Sequence, residues 1–501
     1  MFIDGVQIKG VTCDSRKVEE GFAFFACKGE KTDGHFFINE AIEKGAAIIY
    51  TDREVELVKH DKVIIKKVDN TRKFLSEVCH EFYGFPSEKM KVVGVTGTNG
   101  KTTTTHLIYN VLRSQGISVG LIGTLYIKIN DKTFDTKLTT PDAEDICYYM
   151  DLMVKENVQV VVMEVSSHAL ESYRACGIQF DIAVHTNIDV DHLNHHKTME
   201  NYISSKKKLF DQLPSGKIAL INLDDEHGLK LLDSNDKIVV ITYGLNSKST
   251  ITASSFDVDY NVAFTYCLQR GLTTLSGLEI EPFEYPIATN LLGKHNMYNL
   301  LAAITCCLLL DIPIENISQS LKIAIKIFRR MEIVYNKDFV IIDDTCHNPS
   351  SYDTVFNTVQ NMQFKNLHIV NAIRGNRGED INIENAEVIC NWAGILNIKN
   401  ILITSSKDCV TKKDTVSSSE LNRFIKVFND NNIVYEYHDK LYEAIEKVID
   451  YVEEGDLILL LGAQGMDMGT KFALSLINTN NQLNFHHSKE QIGGEINNYL
   501  T

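Results

Sequence analysis

What the sequence lacks narrows its class. Its eleven cysteines include no CxxC pair, so their spacing offers neither a disulfide framework nor a zinc site, and scattered thiols suit a reduced compartment. Basic surplus is missing too. Lys and Arg number 50 against 66 Asp and Glu, and the resulting net charge of −16 argues against a general nucleic-acid binder, which needs cationic surface for phosphate. The N-terminus, MFIDGVQIKG, lacks the basic start, apolar core and small-residue cleavage site of a signal peptide. The longest apolar stretches, such as 300–310, are too short to span a bilayer. These absences predict a cytoplasmic protein with no nucleic-acid or membrane partner. No internal repeat is visible.

What is present is the balance of a globular chain: 44% hydrophobic and 23% charged residues. At 501 residues it is too long for one core and suits three domains. Residues 1–88 mix short apolar runs (46–50, 63–68) with a helix-like stretch at 36–44, as a small α/β domain does, and Phe85, Pro86 and Ser87 interrupt the pattern. From residue 89 apolar runs at 92–96, 160–165, 182–186 and 218–222 alternate with helical stretches, which predicts a mostly parallel sheet. Residues 251–286 read as antiparallel strands, and 295–310 as a buried helix closing this domain at about 326. Runs at 339–343, 367–371, 400–404 and 457–461 then predict a Rossmann-like third domain over 327–480. Residues 481–501 are a polar tail. The fold class is α/β in three domains.

The most informative segment is VVGVTGTNGKTTTTHLIYNVLRSQG. A strand enters a glycine-containing turn, Gly97, Thr98, Asn99 and Gly100, and a helix opens at Lys101. Glycines let backbone N–H groups approach phosphates, Lys101 and the helix N-terminus supply positive charge, and the Thr102 hydroxyl follows where it can meet Mg²⁺. Val95 stands where the usual GxxxxGK[ST] pattern has its first glycine, so the flanking strand and helix carry the reading. Further on, EVSSHAL from Glu164 and TNIDVDHLNHH from Thr186 each follow a predicted strand, and strand C-termini of such sheets point into the ligand crevice. Glu164 and His192 are therefore candidate metal ligands. His185, His195 and His196 read as ordinary surface or core residues.

The wording TGTNGKTTT resembles the Mur ligases and their relatives, the folylpolyglutamate synthetases. The resemblance implies that Gly97 to Thr103 hold ATP phosphates, that Thr102 and Glu164 bind Mg²⁺, and that His192 binds a second metal. The helix NYISSKKKLF looks like the one in which the family carries a carbamylated lysine, by position Lys206. VTCDSRKVEEGFAFFACKG, with Ser15 in its DSR, resembles the UDP-binding domain of the branch that adds the third peptide residue. EVSSH marks the same branch, in which Thr139 and Thr140 of LTTPD, Ser166 and Arg174 contact the muramyl-dipeptide. Asn296 and Asn299 in GKHNMYNLLAA match adenine ligands. Arg330 matches an ATP-contacting arginine, Asp344 a ribose contact, and His347 a residue near the phosphates.

Departures from the family gather late in the chain. Arg329 replaces a usual glycine, Thr345 and Cys346 replace Tyr-Ala, and Ser172 stands where many members have Gln. TSSKDCV from Thr404 replaces the DNPR of diaminopimelate-adding members, so Lys407 and Asp408 offer charge without the bidentate guanidinium fork. LGAQGMD replaces GKGHE, and AIRGNRGEDIN, with Arg374 and Arg377, replaces GGDRD. The resemblance thus implies a monomeric ATP- and Mg²⁺-dependent ligase acting on small molecules: UDP-N-acetylmuramyl-dipeptide, an amino acid and ATP. The identity of the amino acid does not follow. A folylpolyglutamate-type ligase and a precursor-binding paralogue that does not ligate remain the alternatives.

Overall fold

The structure is a computed structural model that describes residues 1–29, 32–55, 63–191, 193–232, 235–246, 248–257, 261–323 and 326–479. The expected polar tail at 481–501 lies outside the described residues, as does His192. The chain forms two compact units. The first comprises residues 1–257, 263–289 and 295–323; the second comprises 261–262, 290–294 and 326–479.

In the first unit, strands Gly10–Thr12, Phe22–Phe25, Ile48–Thr51 and Ile64–Lys67 form a four-stranded parallel sheet. Side chains alternate between its faces with the two-residue period of a strand. Ala23, Phe25, Ile48 and Tyr50 pack into one cluster, and Phe24, Ala26 and Ile49 into another. Both faces being buried explains why the sequence runs apolar without alternation. In the same unit, Lys17 Nζ lies 3.0 Å from Glu144, and Glu144 also accepts a hydrogen bond from the Cys13 N–H.

The larger sheet has eleven strands, in the order 132–134, 127–129, 119–122, 160–164, 91–96, 182–185, 218–222, 239–243, 251–257, 263–268 and 283–288. The seven strands from 119–122 to 251–257 run parallel, with antiparallel strands at either edge. From Lys91–Thr96 the chain passes through helix Lys101–Ser114 to the strand two places away, returns to Val160–Glu164, and then crosses to Ile182–His185 on the other side. The end of Lys91–Thr96 is therefore a topological switch point, where such sheets open a crevice for ligands. The helix His295–Leu309 is buried over most of its length, including Cys306 and Cys307.

The second unit holds a six-stranded sheet in the order 332–336, 340–344, 457–461, 367–372, 400–404 and 436–438, parallel except for its first strand. Ile342, Ile369, Ile403 and Leu459 fill one face, and Ile341, Val370, Leu402 and Leu460 the other. All eleven cysteines are free. Among the described residues no helix is long and apolar enough to cross a membrane.

Candidate nucleotide and carboxylate site

The turn after Lys91–Thr96 is held by the neighbouring segment 186–189 and by the side chains of Thr98 and Lys101. The Thr98 N–H donates to the Asn187 carbonyl at 2.7 Å, and the Asn99 N–H to Asn187 Oδ1 at 2.9 Å. Thr186 Oγ1 donates to the Asn99 carbonyl at 2.6 Å, while Thr98 Oγ1 accepts from the Asp189 N–H at 2.9 Å and meets the Tyr202 hydroxyl at 3.1 Å. Glycine is required twice. Gly97 (φ +152°) and Gly100 (φ +84°) adopt backbone conformations disfavoured for L side chains, and a Cβ would collide with Thr186 Oγ1 at the first and Asn299 Oδ1 at the second. Helix Lys101–Ser114 begins directly after the turn, so its first N–H groups and its dipole point at whatever the loop encloses. Lys101 Nζ donates to the carbonyls of Gly97 (2.8 Å) and Thr98 (2.9 Å), curled over its own loop. Thr102 and Thr103 are buried in the first helical turn.

Glu164 ends the adjacent strand, opposite Val95 in register, and is fully buried. Its carboxylate accepts hydrogen bonds from Thr102 Oγ1 (2.9 Å), the Thr124 N–H (2.8 Å) and Thr124 Oγ1 (3.0 Å). Lys206 approaches the same turn from helix Met199–Asp211. It is 1% exposed, its Nζ donates to the Gly97 carbonyl at 2.8 Å, and the amine lies 4.3 Å from the Tyr202 ring centroid. Burial, reinforced by repulsion from Lys101, drives its pKa well below the usual lysine range. Glu164 and Lys206 are thus both brought to the phosphate turn.

On the other side of Glu164, Thr140 Oγ1 donates to the Glu164 carbonyl at 2.9 Å and accepts from the Ser166 N–H at 3.0 Å. Ser166 caps helix Ser167–Glu171, and Thr139 Oγ1 accepts from Thr124 Oγ1 at 3.1 Å. Arg174 donates to the Thr140 carbonyl (3.2 Å) and lies 3.2 Å from Asp142. Thr139, Thr140, Ser166 and Arg174 therefore form one connected group leading to Glu164. Asn299 receives a 3.3 Å hydrogen bond from Thr104 and donates to Asn296 at 2.9 Å, which sets this pair beside Gly100. Ser15 opens the short 3-10 turn Ser15–Lys17 that follows strand Gly10–Thr12 of the four-stranded sheet, donating to Glu40 at 2.9 Å.

In the second unit, Asp344 ends its strand and accepts from the Met331 N–H at 2.8 Å; burial raises its pKa, and the nearby Arg330 charge opposes that rise. His347 follows in the next loop, its Nδ1 2.9 Å from the Thr345 carbonyl. Arg330, Asp344 and His347 thus share one end of the six-stranded sheet.

Three family models match this chain: a Mur ligase catalytic domain over residues 7–83, a Mur ligase middle domain over 95–307 and a Mur ligase glutamate ligase domain over 329–464. A UDP-N-acetylmuramoyl-L-alanyl-D-glutamate–2,6-diaminopimelate ligase from Aquifex aeolicus (strain VF5) is 35% identical over 461 residues, covering 91% of this chain and 88% of that protein. The ligase of the same name from Clostridium perfringens (strain 13 / Type A) is 34% identical, covering 91% and 90%. The chain belongs to the Mur ligase family. Its enzyme class is therefore that of an ATP-dependent amide-bond ligase, as the motifs imply. A solved structure of a ligase of that same name shares the fold, with a TM-score of 0.62, 22% identity and coverage of 91% of this chain and 89% of that one.

Against the rest of the Mur ligase pattern, the late departures have local structural explanations. Arg329 is 1% exposed at φ +52°, where the family has glycine. Its guanidinium pairs with Asp343 at 2.9 Å, donates to the Ala463 carbonyl at 3.0 Å, and also binds the Gly462 carbonyl and Asp467. The altered LGAQGMD segment is thus tied to the altered Arg329. Asp408 receives the N–H groups of Leu441 and Tyr442 (2.8 and 3.1 Å), and Lys407 lies 2.6 Å from Asp439. Both expected charges in TSSKDCV are engaged in local structure. Arg377 lies 3.1 Å from Asp414, and Arg374 donates to the His347 carbonyl at 2.8 Å. Sequence reasoning missed Thr124, whose backbone and hydroxyl both hold Glu164; its signal is a hydroxyl just past the short strand Val119–Ile122.

Proposed function

We propose that this protein joins an amino acid to UDP-N-acetylmuramoyl-L-alanyl-D-glutamate at the expense of ATP, in peptidoglycan biosynthesis. One observation carries the reading: Lys101 and Lys206 converge on the Gly97 carbonyl, while Glu164 is bonded to Thr102 of the same turn. A phosphate-binding turn beside a buried carboxylate and a buried amine suits transfer of phosphate to a carboxylate acceptor. In this reading the terminal carboxylate of the dipeptide attacks the γ-phosphorus of ATP. ADP leaves, and the amine of the incoming amino acid then attacks the acyl phosphate, releasing phosphate and forming the amide.

Each residue has a task in that sequence. The N–H groups of Gly97 to Thr103 and the Lys101 ammonium hold the β- and γ-phosphates, with Lys101 turning from its loop carbonyls to do so. Thr102 and Glu164 offer the oxygen donors that suit Mg²⁺, and His192 with carbamylated Lys206 would hold a second ion; bound there, Mg²⁺ neutralises phosphate charge. Carbamylation needs an unprotonated amine, which adds to CO₂ through its lone pair and loses a proton, and the burial that lowers the Lys206 pKa favours that form. Thr139, Thr140, Ser166 and Arg174 orient the dipeptide, Arg174 by gripping a carboxylate. Ser15 contacts the uridine end, Asn296 and Asn299 the adenine, Asp344 the ribose, and Arg330 and His347 the phosphates.

We assign the domains as 1–88 for the UDP-muramyl substrate, 89–326 for ATP and 327–480 for the amino acid and ATP, in a cytoplasmic monomer. The test is incubation of the full chain with UDP-muramyl-dipeptide, ATP and Mg²⁺ against a panel of amino acids that includes diaminopimelate and lysine. A product heavier by one amino-acid residue, formed with stoichiometric ADP, is expected for one member. Absence of product across the panel overturns the proposal.

A further inference from the structure

Helices Ser167–Glu171 and Leu193–His196, distant in sequence, bring three imidazoles together. One ring nitrogen from each of His168, His195 and His196 lies within 4.8 Å of the others. The His168 ring centroid is 4.1 Å from that of His195 and 5.3 Å from that of His196, and His195 and His196 are 4.8 Å apart. Glu171 marks the point of convergence: its Oε2 lies 2.9 Å from His195 Nε2 and 3.1 Å from His196 Nδ1. His196 is also fixed from behind, its Nε2 3.0 Å from Ser167 Oγ. His196 therefore presents Nδ1 to the same space as the Glu171 carboxylate and the other two rings.

We infer that His168, His195 and His196, with Glu171 as anionic partner, bind a borderline transition-metal cation of the Zn²⁺ class. Imidazole donors select such ions over Mg²⁺, and three protein ligands with an adjacent carboxylate are a zinc pattern. Zn–N bonds of about 2.0–2.1 Å place tetrahedral nitrogens about 3.4 Å apart, so the cluster closes with shifts of about 1.4 Å or less. Its donor set differs from the one assigned to magnesium above, which uses Thr102, Glu164, His192 and Lys206. The bound ion would staple the helix capped by Ser166 to the helix carrying Lys206, because His196 Nδ1 also lies 3.4 Å from Ser205 Oγ.

The experiment uses the full chain without nucleotide or muramyl substrate, in excess Mg²⁺, titrated with Co²⁺. One equivalent should bind with the intense visible bands of four-coordinate Co²⁺ and be displaced by one equivalent of Zn²⁺. His195→Gln, a residue with no part in the ligation proposed above, should weaken binding by about 100-fold or more, since loss of outer-shell partners alone costs 10–100-fold. Glu171→Gln should weaken it by about 10-fold or more. X-ray absorption of the zinc-loaded wild type decides the matter even if a variant fails to fold: a nitrogen and oxygen shell with several imidazoles is expected. Sulfur in that shell, six-coordinate cobalt spectra, or affinity unchanged by His195→Gln would overturn the site.

Discussion

Replacing Lys206 separates catalysis from folding more sharply than any other change. The side chain is enclosed, with one hydrogen bond to the Gly97 carbonyl and the Tyr202 ring beneath it. Lys206→Met keeps the stem and deletes the amine. The lost hydrogen bond is worth about 1 kcal/mol, and removing a desolvated amine offsets much of that, so the melting temperature should move by only a few degrees. Activity should respond very differently. Removing one preorganised electrostatic group from such a site costs about 2.7–4 kcal/mol of transition-state stabilisation, or about 10²–10³ in kcat. The assay pairs steady-state ADP release with circular-dichroism melts. Lys206→Ala should regain part of its rate in millimolar acetate, a small carboxylate able to occupy the space of the missing carbamate. Lys206→Arg, unable to form a carbamate and charged beside Lys101, should be both inactive and destabilised by several kcal/mol. Full activity in Lys206→Ala, or identical loss in acetate and chloride, would refute the carbamate.

Other perturbations reach different parts of the molecule. Gly100→Ala places a Cβ against Asn299 Oδ1 at a positive φ, and should weaken ATP binding at least about 10-fold by nucleotide titration, the strain being about 1–2 kcal/mol before any clash; unchanged affinity would free the loop from its glycine. Arg329→Met strands the buried Asp343 carboxylate, leaving it the Thr470 hydroxyl at 2.7 Å, and should cost about 3–5 kcal/mol in urea unfolding. Arg329→Met combined with Asp343→Asn should recover part of that loss. His80 is buried against Gly177, with its pKa lowered to about 4 by desolvation. Between the unfolded value near 6.5 and about 4 only the unfolded chain takes up this proton, so stability falls as pH drops through that window. At pH 5 this ring accounts for about 2 kcal/mol, and His80→Leu should shrink the pH 7 to pH 5 stability difference by that amount; an unaltered difference would contradict the burial argument.

The sequence was readable where physics leaves a local trace. Runs at 92–96, 160–165, 182–186 and 218–222 match strands to within a residue, because parallel strands buried on both faces stay apolar throughout and end at polar, ligand-facing residues. The strands Val119–Ile122 and Val239–Tyr243 were not legible: the first is four residues with a glycine inside, and the second exposes Val239 and Val240. The turn from Gly97 to Thr102 declared itself through glycine spacing, and Glu164 by ending a strand. Thr124 did not, since its role depends on which strand lies beside Val160–Glu164. The histidine cluster was hidden for the same reason: His168 and His195 stand far apart in the chain, and His195 and His196 read as ordinary side chains until two short helices are seen to meet. The amino-acid pocket stays illegible because Lys407 and Asp408 are engaged by their own neighbourhood.

The central claim is that a muramyl-dipeptide carboxylate is phosphorylated by ATP and then captured by an amine. The most direct measurement supplies UDP-muramyl-dipeptide with ¹⁸O in its terminal carboxylate, together with ATP, Mg²⁺ and the amino acid that supports turnover, and reads the released phosphate by mass spectrometry. One ¹⁸O per phosphate is expected, because the acyl oxygen leaves with phosphorus when the amide forms. Phosphate free of label, with ATP consumed, would contradict the account.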